Sequence, residues 1–571
     1  MQKLLKFLKP YRFECIIAPV FKLLEAIFEL IVPVIMAKII DNGIANQDKE
    51  YIFKMSGVII VLGICGLGFA LTCQYFAARC AFRYGTDLRK AVYEHINRLS
   101  ETELDRIGTS TLINRITNDV TASQSGVNMF IRLASRAPFL VIGAIVMVLT
   151  IDTQLALIFL IIAPIVALLL YFVMNRTIPL YAQNQKKLDV IARHTGENLD
   201  GIRVIRAFAR QEQEVDSFRS ECEDLEQSMI TAGRISALLN PLTFMIMNLG
   251  IVAVLWFGGV HVDTGRLSQG DLTAFTNYMT QILLAMIALA NLIVILTKAQ
   301  ASSLRVAEIL ETESSMQDGT EIPELSSEEV IAFEQVSFAY AGAGANALEH
   351  ISFRLNRGQT LGIIGGTGSG KSTLGSLILR SYDATNGEIR IFGKNIRNYQ
   401  LKILRRQIGI VPQKAVLFTG TVRENLRLAD EAITEQDMKQ ALVIAQADFV
   451  ESLQYGLDTH LVQGGRNLSG GQKQRLTIAR ALAGKPEILI LDDSMSALDY
   501  ATDAKLRQEL TMQCRNMTKV IISQRATSLM YCDLILVLDD GKCLGTGTHN
   551  ELLKTCEIYQ EIWNSQMQSG A

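Results

Sequence analysis

The residues best suited to chemistry stand in one glycine-rich segment in the second half of the chain. The segment reads Gly365-Gly366-Thr367-Gly368-Ser369-Gly370-Lys371-Ser372-Thr373, and it follows the apolar run 361–364. Glycines let successive backbone N–H groups point inward at a phosphate, and a helix that begins after the loop adds partial positive charge. In this pattern Lys371 would reach the terminal phosphates and Ser372 would hold Mg²⁺. A merely structural turn is the weaker interpretation, because a strand pattern precedes the loop and a helical pattern follows it.

A second stretch supplies a carboxylate for the same metal ion. Residues 488–491 are all apolar, as in a strand that is buried on both faces, and Asp492 follows them directly. We expect this carboxylate to lie beside the phosphate loop. There it would hold Mg²⁺ through water.

Between these two stretches lies another phosphate-binding device. Ser469-Gly470-Gly471-Gln472 precedes the helical pattern 476–483, so that a serine and two glycines stand at a helix N-terminus. One nucleotide cannot readily sit on both devices of a single domain. The sequence therefore indicates that two such domains face each other.

The residues around these motifs predict a mixed α/β domain. Residues 311–329 are acidic and serine-rich, which is typical of a linker, and the alternation at 330–340 then predicts a strand. Short β-type runs alternate with helical segments after it, as in an α/β ATPase. Tyr340 stands about 25 residues before the phosphate loop and is placed to stack on an adenine ring. Taken alone, it is an ordinary tyrosine at the end of a strand.

The first half of the chain has the composition of a membrane protein. Of the 571 residues 49% are hydrophobic and 20% charged, and the mean hydropathy of +0.23 is too high for a wholly soluble protein. Six apolar stretches precede residue 300, and most reach the roughly 20 residues that a helix needs to cross a bilayer. They cover 13–40, 55–78, 137–151, 155–174, 238–260 and 272–296. The third is short unless Leu133 and Ala134 are added.

Two of the loops between these spans are long, and they predict cytoplasmic stalks. Loops 79–136 and 175–237 hold most of the lysine and arginine of this half, so we expect them and the N-terminus in the cytoplasm. Apolar residues at three and four spacing predict helices in both loops, with turns near 108–110 and 196–201. We interpret these tips as the parts through which the nucleotide domain drives the spans. Solvated hairpins without that role are the alternative.

The first apolar stretch contains three charges on one helical face. Lys22, Glu25 and Glu29 are spaced i, i+3 and i+7, and charges within a span are costly unless they face a bundle interior or water. We interpret this face as the lining of a cavity that favours cationic or amphipathic cargo. A structural ion pair, or side chains that reach the membrane interface, explains the pattern equally well. Weaker polar candidates, for which packing is the default role, are Asp41, Asn277, Tyr278, Gln281 and Asn291.

Charge and cysteine usage argue against several other classes of protein. The net charge of −2 gives no global attraction to nucleic acid or to anionic lipid. The nine cysteines form no close-spaced metal pattern and are typical of a reducing compartment. Residues 1–10 are basic, and no small-residue cleavage site follows the apolar run. We therefore predict an interfacial amphipathic helix that leads into a retained span.

Taken together, the motifs resemble those of a known family. The shared set is Tyr340, the loop Gly365 to Thr373, Gln413 within 411–413, the segment 468–472, Asp492, and the segment 496–499 that ends in Asp499. This set resembles the ATP-binding cassette, and with six spans ahead of it the chain resembles a half-transporter of the exporter type. The resemblance covers essentially all 571 residues, including 197–206 in the second long loop.

This resemblance implies a fold and its boundaries. The expected fold class is a membrane α-helical domain, with six transmembrane helices and long cytoplasmic helical loops, fused to an α/β P-loop ATPase domain. The membrane domain would cover 1–300, a linker 301–328 and the nucleotide-binding domain 329–571. The implied location is the plasma membrane of a bacterial cell, with the N-terminus and the ATPase domain in the cytoplasm.

The resemblance also implies ligands, partners and roles. The implied cofactors are ATP and Mg²⁺, with Gln413 sensing the metal that Ser372 and Asp492 hold. Ser469 to Gln472 would close over the γ-phosphate of the ATP that a partner subunit binds. Membrane lipid and hydrophobic or cationic small-molecule cargo are the other expected partners, and nucleic acid is not.

Two positions depart from the family pattern. Asp493 stands where hydrolytically competent members have a glutamate that polarises the attacking water, and its carboxylate is one methylene shorter. Gln524 stands where the family has a histidine that contacts the γ-phosphate, and an amide cannot become cationic. Gln463 is a softer change, since relatives often have glutamate there.

These departures predict a subunit whose own site is catalytically impaired. The chain resembles the degenerate-site subunit of a heterodimeric multidrug-type exporter, which binds ATP tightly and turns it over slowly, paired with a half-transporter that has a consensus catalytic site. Neutral drift in a working homodimer is the alternative. Other interpretations of the function are a translocator of lipids, peptides or siderophores, and a regulatory ATP-binding membrane subunit. These motifs do not specify the transported cargo.

Overall fold

The computed structural model describes residues 2–496 and 498–568. Ala497, which belongs to the predicted motif 496–499, lies outside the described residues. Contacts within the chain divide it into two units. Unit 1 comprises Met1–Asn97 and Ser110–Thr312, and unit 2 comprises Arg98–Thr109 and Glu313–Ala571.

The first half of the chain is helical throughout. A 3₁₀-helix over Gln2–Tyr11 comes first, and two π-helical turns occur at Ile39–Ile44 and Arg115–Asp119. The α-helices are α1 Arg12–Lys38, α2 Lys49–Ile96, α3 Glu101–Ile107, α4 Thr109–Asn114, α5 Val120–Leu133, α6 Arg136–Ile151, α7 Thr153–Asp200, α8 Ile202–Ala207, α9 Gln211–Ala237, α10 Leu239–Asp263 and α11 Gln269–Glu311. The segment that contains α3 belongs to unit 2, although α2 precedes it in the chain.

Several helices are much longer than a membrane is thick. Both α2 and α7 have 48 residues, which corresponds to about 70 Å at 1.5 Å per residue, against about 30 Å of hydrocarbon. These helices continue far beyond any membrane-spanning part, as the stalk prediction requires. The second predicted turn lies later than expected, because α7 runs through Gly196 and ends at Asp200.

Five helical segments of the described residues are long and apolar enough to cross a membrane: Lys49–Ile96, Thr109–Ile151, Thr153–Asp200, Gln211–Asp263 and Gln269–Glu311. The first predicted span is a helix of 27 residues, α1, but it falls outside this group. Every 18-residue stretch of α1 includes Lys22, Glu25 and Glu29, whereas the other five have stretches of that length with at most two charges. The sequence therefore predicted the helix correctly and overstated its apolar character.

A proline in α1 explains why polar side chains of α11 pack against it. Pro33 has no N–H group, so the carbonyl of Glu29 loses its helical donor. Gln281 Nε2 donates to that carbonyl oxygen at 3.1 Å, and Tyr278 Oη donates to the Leu30 carbonyl oxygen at 2.7 Å. Asp41 also packs against α11, at the start of that helix, where its Oδ1 accepts from Gly270 N at 2.8 Å. These polar residues therefore have the packing role that was their default interpretation.

Unit 2 contains a sheet of ten strands and a separate pair. The strands are β1 Glu329–Phe338, β2 Leu348–Asn356, β3 Thr360–Gly365, β4 Asn386–Ile391, β5 Lys394–Asn395, β6 Ile408–Val411, β7 Gly420–Thr421, β8 His460–Leu461, β9 Ile488–Asp492, β10 Thr518–Ile522, β11 Leu534–Asp539 and β12 Lys542–Gly547. The order in the large sheet is β5-β4-β1-β2-β12-β11-β3-β10-β9-β6, and β7 pairs with β8. Strands β11, β3, β10, β9 and β6 are parallel, whereas β1, β2, β4 and β5 pair antiparallel.

The other α-helices of unit 2, apart from α3, lie between or after these strands. They are α12 Lys371–Ile378, α13 Leu401–Arg406, α14 Val422–Leu426, α15 Glu435–Ile444, α16 Gly470–Ala483, α17 Tyr500–Gln513, α18 His549–Thr555 and α19 Glu557–Gln568. Two apolar clusters lie against the sheet, one with Leu489 and Leu491 of β9 and the other with Ile488 and Ile490. Alternate residues of β9 thus enter different cores, as expected of a strand buried on both faces.

The boundary between the two halves differs from the predicted linker. Helix α11 continues to Glu311, and β1 begins at Glu329. Residues 301–311 of the predicted linker are therefore helical. Apolar residues become less frequent after Lys298. This change marks the end of the apolar part of α11 and not the end of the helix.

We predict that Gln281→Leu will lower the free energy of unfolding by about 1 kcal/mol, since it leaves the Glu29 carbonyl without a donor. In a Pro33→Ala background the loss should be smaller, because the introduced alanine has a backbone N–H group for that carbonyl. Thermal and denaturant unfolding of the four purified proteins would measure the coupling.

Asn277→Leu is the matched control for this cycle, because the Asn277 amide donates to Thr273 of its own helix. Its effect should be the same with Pro33 and in the Pro33→Ala background. An equal effect of Gln281→Leu in both backgrounds would contradict the assignment of its amide to the proline-freed carbonyl.

Candidate nucleotide-binding site

The phosphate loop connects β3 to α12, as its sequence predicted. Gly368 and Gly370 have φ angles of +83° and +93°, in the left-handed region that glycine adopts without strain. A Cβ atom on Gly370 would lie 2.6 Å from the carbonyl oxygen of Ala347. Glycine at position 370 is thus needed both for its backbone angle and for space.

Lys371 begins α12, and its ammonium group lies within the curve of the loop. Nζ donates to the Gly365 carbonyl oxygen at 3.0 Å and also to the Gly366 carbonyl, with Ser369 Oγ at 3.4 Å. The side chain is buried, and burial lowers the pKa of Lys371, while Asp492 and Asp493 oppose that shift. A cation held at this position by backbone carbonyls can interact with the terminal phosphates of a nucleotide.

Two of the three predicted magnesium ligands, Ser372, Gln413 and Asp492, are in contact. Ser372 Oγ donates to Asp492 Oδ1 at 3.1 Å. Burial raises the pKa of Asp492, and the neighbouring Asp493 raises it further, whereas the hydrogen bond from Ser372 and the charge of Lys371 lower it. Hydroxyl and carboxylate oxygens are the hard donors that Mg²⁺ prefers, so this pair is chemically suited to the ion.

The position after Asp492 turns away from the strand. Asp493 has a φ of +44°, which aspartate tolerates better than most residues, and its N–H donates to the Ile522 carbonyl at 2.9 Å. Gln413 Nε2 donates to Asp493 Oδ2 at 3.4 Å. The structure thus brings Gln413, which follows β6, to Asp493 at the end of the neighbouring strand β9.

Gln524 lies just beyond β10, and a residue near the C-terminus holds its backbone. Gln566 Nε2 donates to the Gln524 carbonyl at 2.7 Å, and Gln566 Oε1 accepts from Ala526 N at 2.8 Å. The Gln524 side chain itself is exposed. Gln566 belongs to no motif of the sequence analysis, and a lone glutamine on a C-terminal helix gives no signal by which it could have been found.

Tyr340 is anchored to the phosphate-loop helix through its hydroxyl group. Its Oη lies 3.0 Å from Thr373 Oγ1, and the edge of its ring packs against Phe338 and Tyr382 with centroid distances of 4.9 and 5.3 Å. The residue is 37% exposed, so part of the ring remains available to a ligand. Its position is consistent with the predicted stacking on a base.

The segment predicted to be a second phosphate-binding device forms the start of α16. Ser469 accepts from Gln472 N at 3.3 Å, and Gln472 Oε1 accepts from Ser469 N at 2.9 Å, which makes a capping box. Gly470 is exposed, and Gly471 is half-buried. Within the described part of the chain, no hydrogen bond or ion pair joins this segment to the phosphate loop.

Asp499 also caps a helix. It accepts from Thr502 N at 2.9 Å and from Thr502 Oγ1 at 2.8 Å at the start of α17. These hydrogen bonds, the backbone one foremost, lower the pKa of Asp499. Both contacts join Asp499 to a residue three positions later in the chain.

The charged face of α1 forms two ion pairs. Lys22 Nζ lies 2.6 Å from Glu25 Oε2, and Arg136 Nη2 of α6 lies 2.8 Å from Glu29 Oε2. These contacts agree with the structural interpretation that the sequence left open beside the cargo hypothesis. Arg136, at the start of the third apolar stretch, was not singled out because it stands at a helix boundary.

Comparisons with known proteins match both halves of the chain. Residues 15–286 match the family described as the ABC transporter transmembrane region, and residues 348–496 match the family described as ABC transporter. An uncharacterized ABC transporter ATP-binding protein of Mycobacterium tuberculosis is 37% identical over 571 residues, covering 99% of this chain and 97% of the relative. YfiB, an uncharacterized ABC transporter ATP-binding protein of Bacillus subtilis, is 39% identical over 569 residues, covering 99% and 98%.

Two further similarities extend this result. The ATP-dependent lipid A-core flippase of Vibrio vulnificus is 28% identical over 575 residues, covering 100% of this chain and 98% of the flippase. The solved structure of a bacterial Atm1-family ABC exporter with ATP bound has a TM-score of 0.82 at 22% identity, covering 97% of this chain and 98% of that chain. The fold class predicted from the sequence, a helical membrane domain fused to an α/β ATPase domain, is confirmed.

We predict that Lys371→Ala will weaken binding of Mg²⁺-ATP at least tenfold, because the loop then loses the cation that we expect to face the terminal phosphates. Equilibrium binding of a fluorescent ATP analogue to the purified full chain would measure it. Lys439→Ala is the control, since Lys439 is exposed and pairs only with Glu435 among the contacts of the described residues. Equal affinities for the two variants would rule out the role given to Lys371.

Proposed function

Because the chain belongs to the ABC transporter family, with its transmembrane region and ATP-binding domain fused in one half-transporter, we propose that it functions in a heterodimeric ATP-driven exporter. In this pairing it binds ATP at an impaired site. Its segment Ser469 to Gln472 completes the competent site of the other subunit.

The single observation that supports the impaired site is the placement of Asp493. Its backbone is fixed by the hydrogen bond to Ile522, at the edge where Asp492 and Ser372 meet. The family pattern has a glutamate at this position, and aspartate reaches less far by more than about 1 Å. A misplacement of about 1 Å at a reacting centre can lower a rate about 10²-fold. The attacking water would therefore be poorly oriented.

Gln524 adds a second defect at the same edge of the sheet. Its backbone is tied to Gln566, immediately beyond the strand β10 that lies between β3 and β9. A glutamine can donate a hydrogen bond to a γ-phosphate but cannot supply the positive charge of an imidazolium. The two departures act on the same step, the attack of water on the γ-phosphate: Asp493 affects the orientation of the water, and Gln524 affects the charge near the phosphate.

The groups that bind the nucleotide are all present in this chain. Lys371 lies in the loop, Ser372 contacts Asp492, and Tyr340 is held by Thr373. Ser372, Gln413 and Asp492 would hold Mg²⁺, which would supply positive charge to the phosphates of the nucleotide. We therefore propose a site that binds ATP and hydrolyses it slowly.

The start of α16 suits a role toward a partner subunit. Gly470 is exposed, with open space where a Cβ atom would lie, and a capping box stabilises the N-terminal end of α16. A helix N-terminus of this kind binds an anionic phosphate well. We assign it to the ATP held by the partner, which is a half-transporter with a consensus catalytic site.

For the cargo, we propose hydrophobic or cationic amphipathic compounds carried across the plasma membrane, with the N-terminus and the ATPase domain in the cytoplasm. Lipid is the second candidate, and the similarity to a lipid A-core flippase favours it. The cargo role of Lys22, Glu25 and Glu29 remains a proposal, and their ion pairs favour a structural role. Transport of a cationic dye by Glu25→Gln/Glu29→Gln distinguishes the two, since only a cargo site predicts lower dye affinity.

We expect the purified chain alone to show little ATPase activity. Asp493→Glu should raise phosphate release at least tenfold, because the carboxylate regains the lost methylene, and Asp493→Glu/Gln524→His should raise it further. Phosphate release by the chain in lipid nanodiscs would measure all three proteins.

The triple variant that also contains Lys371→Ala serves as the control, because it should abolish the gain if hydrolysis takes place on this chain's own loop. Rapid turnover by the unaltered chain, as fast as that of the double variant, would exclude an impaired site.

A further inference from the structure

Two cysteines from different helices of unit 1 lie in contact. The Sγ atoms of Cys15 in α1 and Cys80 in α2 are 3.3 Å apart, although 65 positions separate the two residues in the chain. Both cysteines are free, and a disulfide bond holds its sulfur atoms about 2 Å apart. A movement of about 1.3 Å therefore separates this pair from a covalent link.

Small residues around the pair let the two helices approach closely. Ala18 lies one turn after Cys15 in α1. Ala77 and Ala81 lie beside Cys80 in α2, and all three alanines are fully buried. Helix backbones approach closely where the facing side chains are small. Such an approach is what a disulfide requires, because it joins Cα atoms that are less than about 7 Å apart.

Contacts on both sides of the pair hold the helices in this register. Just before α1, Tyr11 Oη donates to Asp87 Oδ2 at 2.6 Å. Further along α1, the ring of Phe21 packs against that of Phe69, with 5.7 Å between the centroids. Later positions in α1 thus meet earlier positions in α2, as antiparallel helices require. The two thiols are held opposite each other between these contacts.

The two thiols differ in their exposure. Cys15 is half-buried, whereas Cys80 is fully buried. Beside them, Glu14 lies 3.9 Å from Arg79 and 4.0 Å from Arg83, and the two arginine side chains are partly exposed. Charged groups avoid the hydrocarbon part of a membrane, so this end of the helices lies where water is present. A small water-soluble oxidant can therefore reach Cys15, while Cys80 is shielded from it.

We propose that Cys15 and Cys80 form a peroxide-sensitive thiol pair. The Cys15 thiolate attacks one oxygen of a hydroperoxide, the O–O bond breaks, and the other oxygen leaves with the thiol proton as water or alcohol. The Cys80 thiolate then attacks the sulfenic sulfur of Cys15. The S–S bond forms, the S–O bond breaks, and the hydroxyl group leaves with the second thiol proton as water. The two thiols supply the two electrons that reduce the hydroperoxide.

The disulfide would hold the start of α1 on α2. It would restrict residues 2–20, which otherwise contact α2 only through non-covalent interactions. The cysteine usage of this chain is typical of a reducing compartment, so the free thiols are the resting form, and a small thiol reductant would restore them after oxidation. This inference concerns unit 1 and does not depend on the proposed nucleotide site.

Peptide mapping of the full chain in nanodiscs tests the link directly. Hydrogen peroxide, followed by N-ethylmaleimide to block the remaining thiols, should join the tryptic peptides 13–22 and 80–83 with the loss of two hydrogen atoms. Dithiothreitol should separate them again. Oxidation of the unaltered chain that never joins these two peptides would overturn the thiol pair, and this measurement requires no substitution.

Cys73→Ala is the matched control for the mapping. Cys73 is also buried in α2, two turns before Cys80, so its removal tests whether any buried cysteine of this helix can take part. The link between 13–22 and 80–83 should form to the same extent in this variant. Its loss would contradict the pairing of Cys15 with Cys80.

Single variants test the order of the two steps. In Cys80→Ser, Cys15 should stop at the sulfenic acid, and dimedone should capture it at least fivefold more than in the unaltered chain. In Cys15→Ser, Cys80 should stay reduced, because it is shielded from the oxidant. Capture of dimedone at Cys80 in Cys15→Ser, to the extent seen at Cys15 in Cys80→Ser, would overturn the assigned order.

Hydrogen–deuterium exchange tests whether the link holds α1 on α2. Oxidation should slow exchange of residues 2–20 at least twofold in the unaltered chain and in Cys73→Ala, but not in Cys80→Ser. A disulfide that forms and leaves this exchange unchanged would overturn the restriction of α1 alone. Slower exchange in Cys80→Ser as well would show that the effect does not come from the disulfide, and it would overturn the same claim.

Discussion

The parallel register of β3, β10 and β9 is the constraint on which the nucleotide site depends. Strand β10 lies between the other two, and Ile522 stands opposite both Ile363 and Asp492. This register brings the start of the phosphate loop and the Asp492 carboxylate to one edge, where Ser372 contacts that carboxylate. Apolar cores on both faces of the sheet hold the register, since sliding one strand would unpack both.

Because this edge of the sheet is held in register, the reach of a side chain such as that of Asp493 depends on its length. The backbone of Asp493 is hydrogen-bonded to β10, and the backbone of Gln524 is hydrogen-bonded to α19, so each side chain starts from a backbone position that a hydrogen bond holds. In the proposed function, binding and hydrolysis use different groups. The loop and its lysine would bind phosphate, whereas the residues at the strand ends would orient the reaction.

Unit 1 is governed by a different constraint, the satisfaction of polar groups in an apolar surrounding. Pro33 frees a carbonyl of α1, and a glutamine of α11 donates to it. The charged side chains of α1 also have partners: Lys22 pairs with Glu25, and Glu29 pairs with Arg136 of α6. Buried polar groups without such partners are costly, so these residues hold the helices in register before any role with cargo is considered.

Local patterns in the sequence were sufficient for the elements of both units. Glycine spacing, an apolar strand and a following helix predicted the phosphate loop and Asp492, because each depends on residues close together in the chain. Apolar periodicity likewise predicted the long helices. Apolar periodicity did not predict the ends of two helices. Helix α11 continues beyond its apolar part to Glu311, and α7 continues through Gly196, where a turn was predicted.

What the sequence determined by itself was therefore the motifs, the helices and strands, and the family to which they point. Only the tertiary structure decided which residues meet: Arg136 with Glu29 across 107 positions, Gln281 with the carbonyl beside Pro33, and Tyr382 with Asp105 across 277 positions. The physical reason is that such contacts join single side chains on distant elements. They leave no periodicity or spacing in the chain, and they exist only once the sheet and the helices have packed.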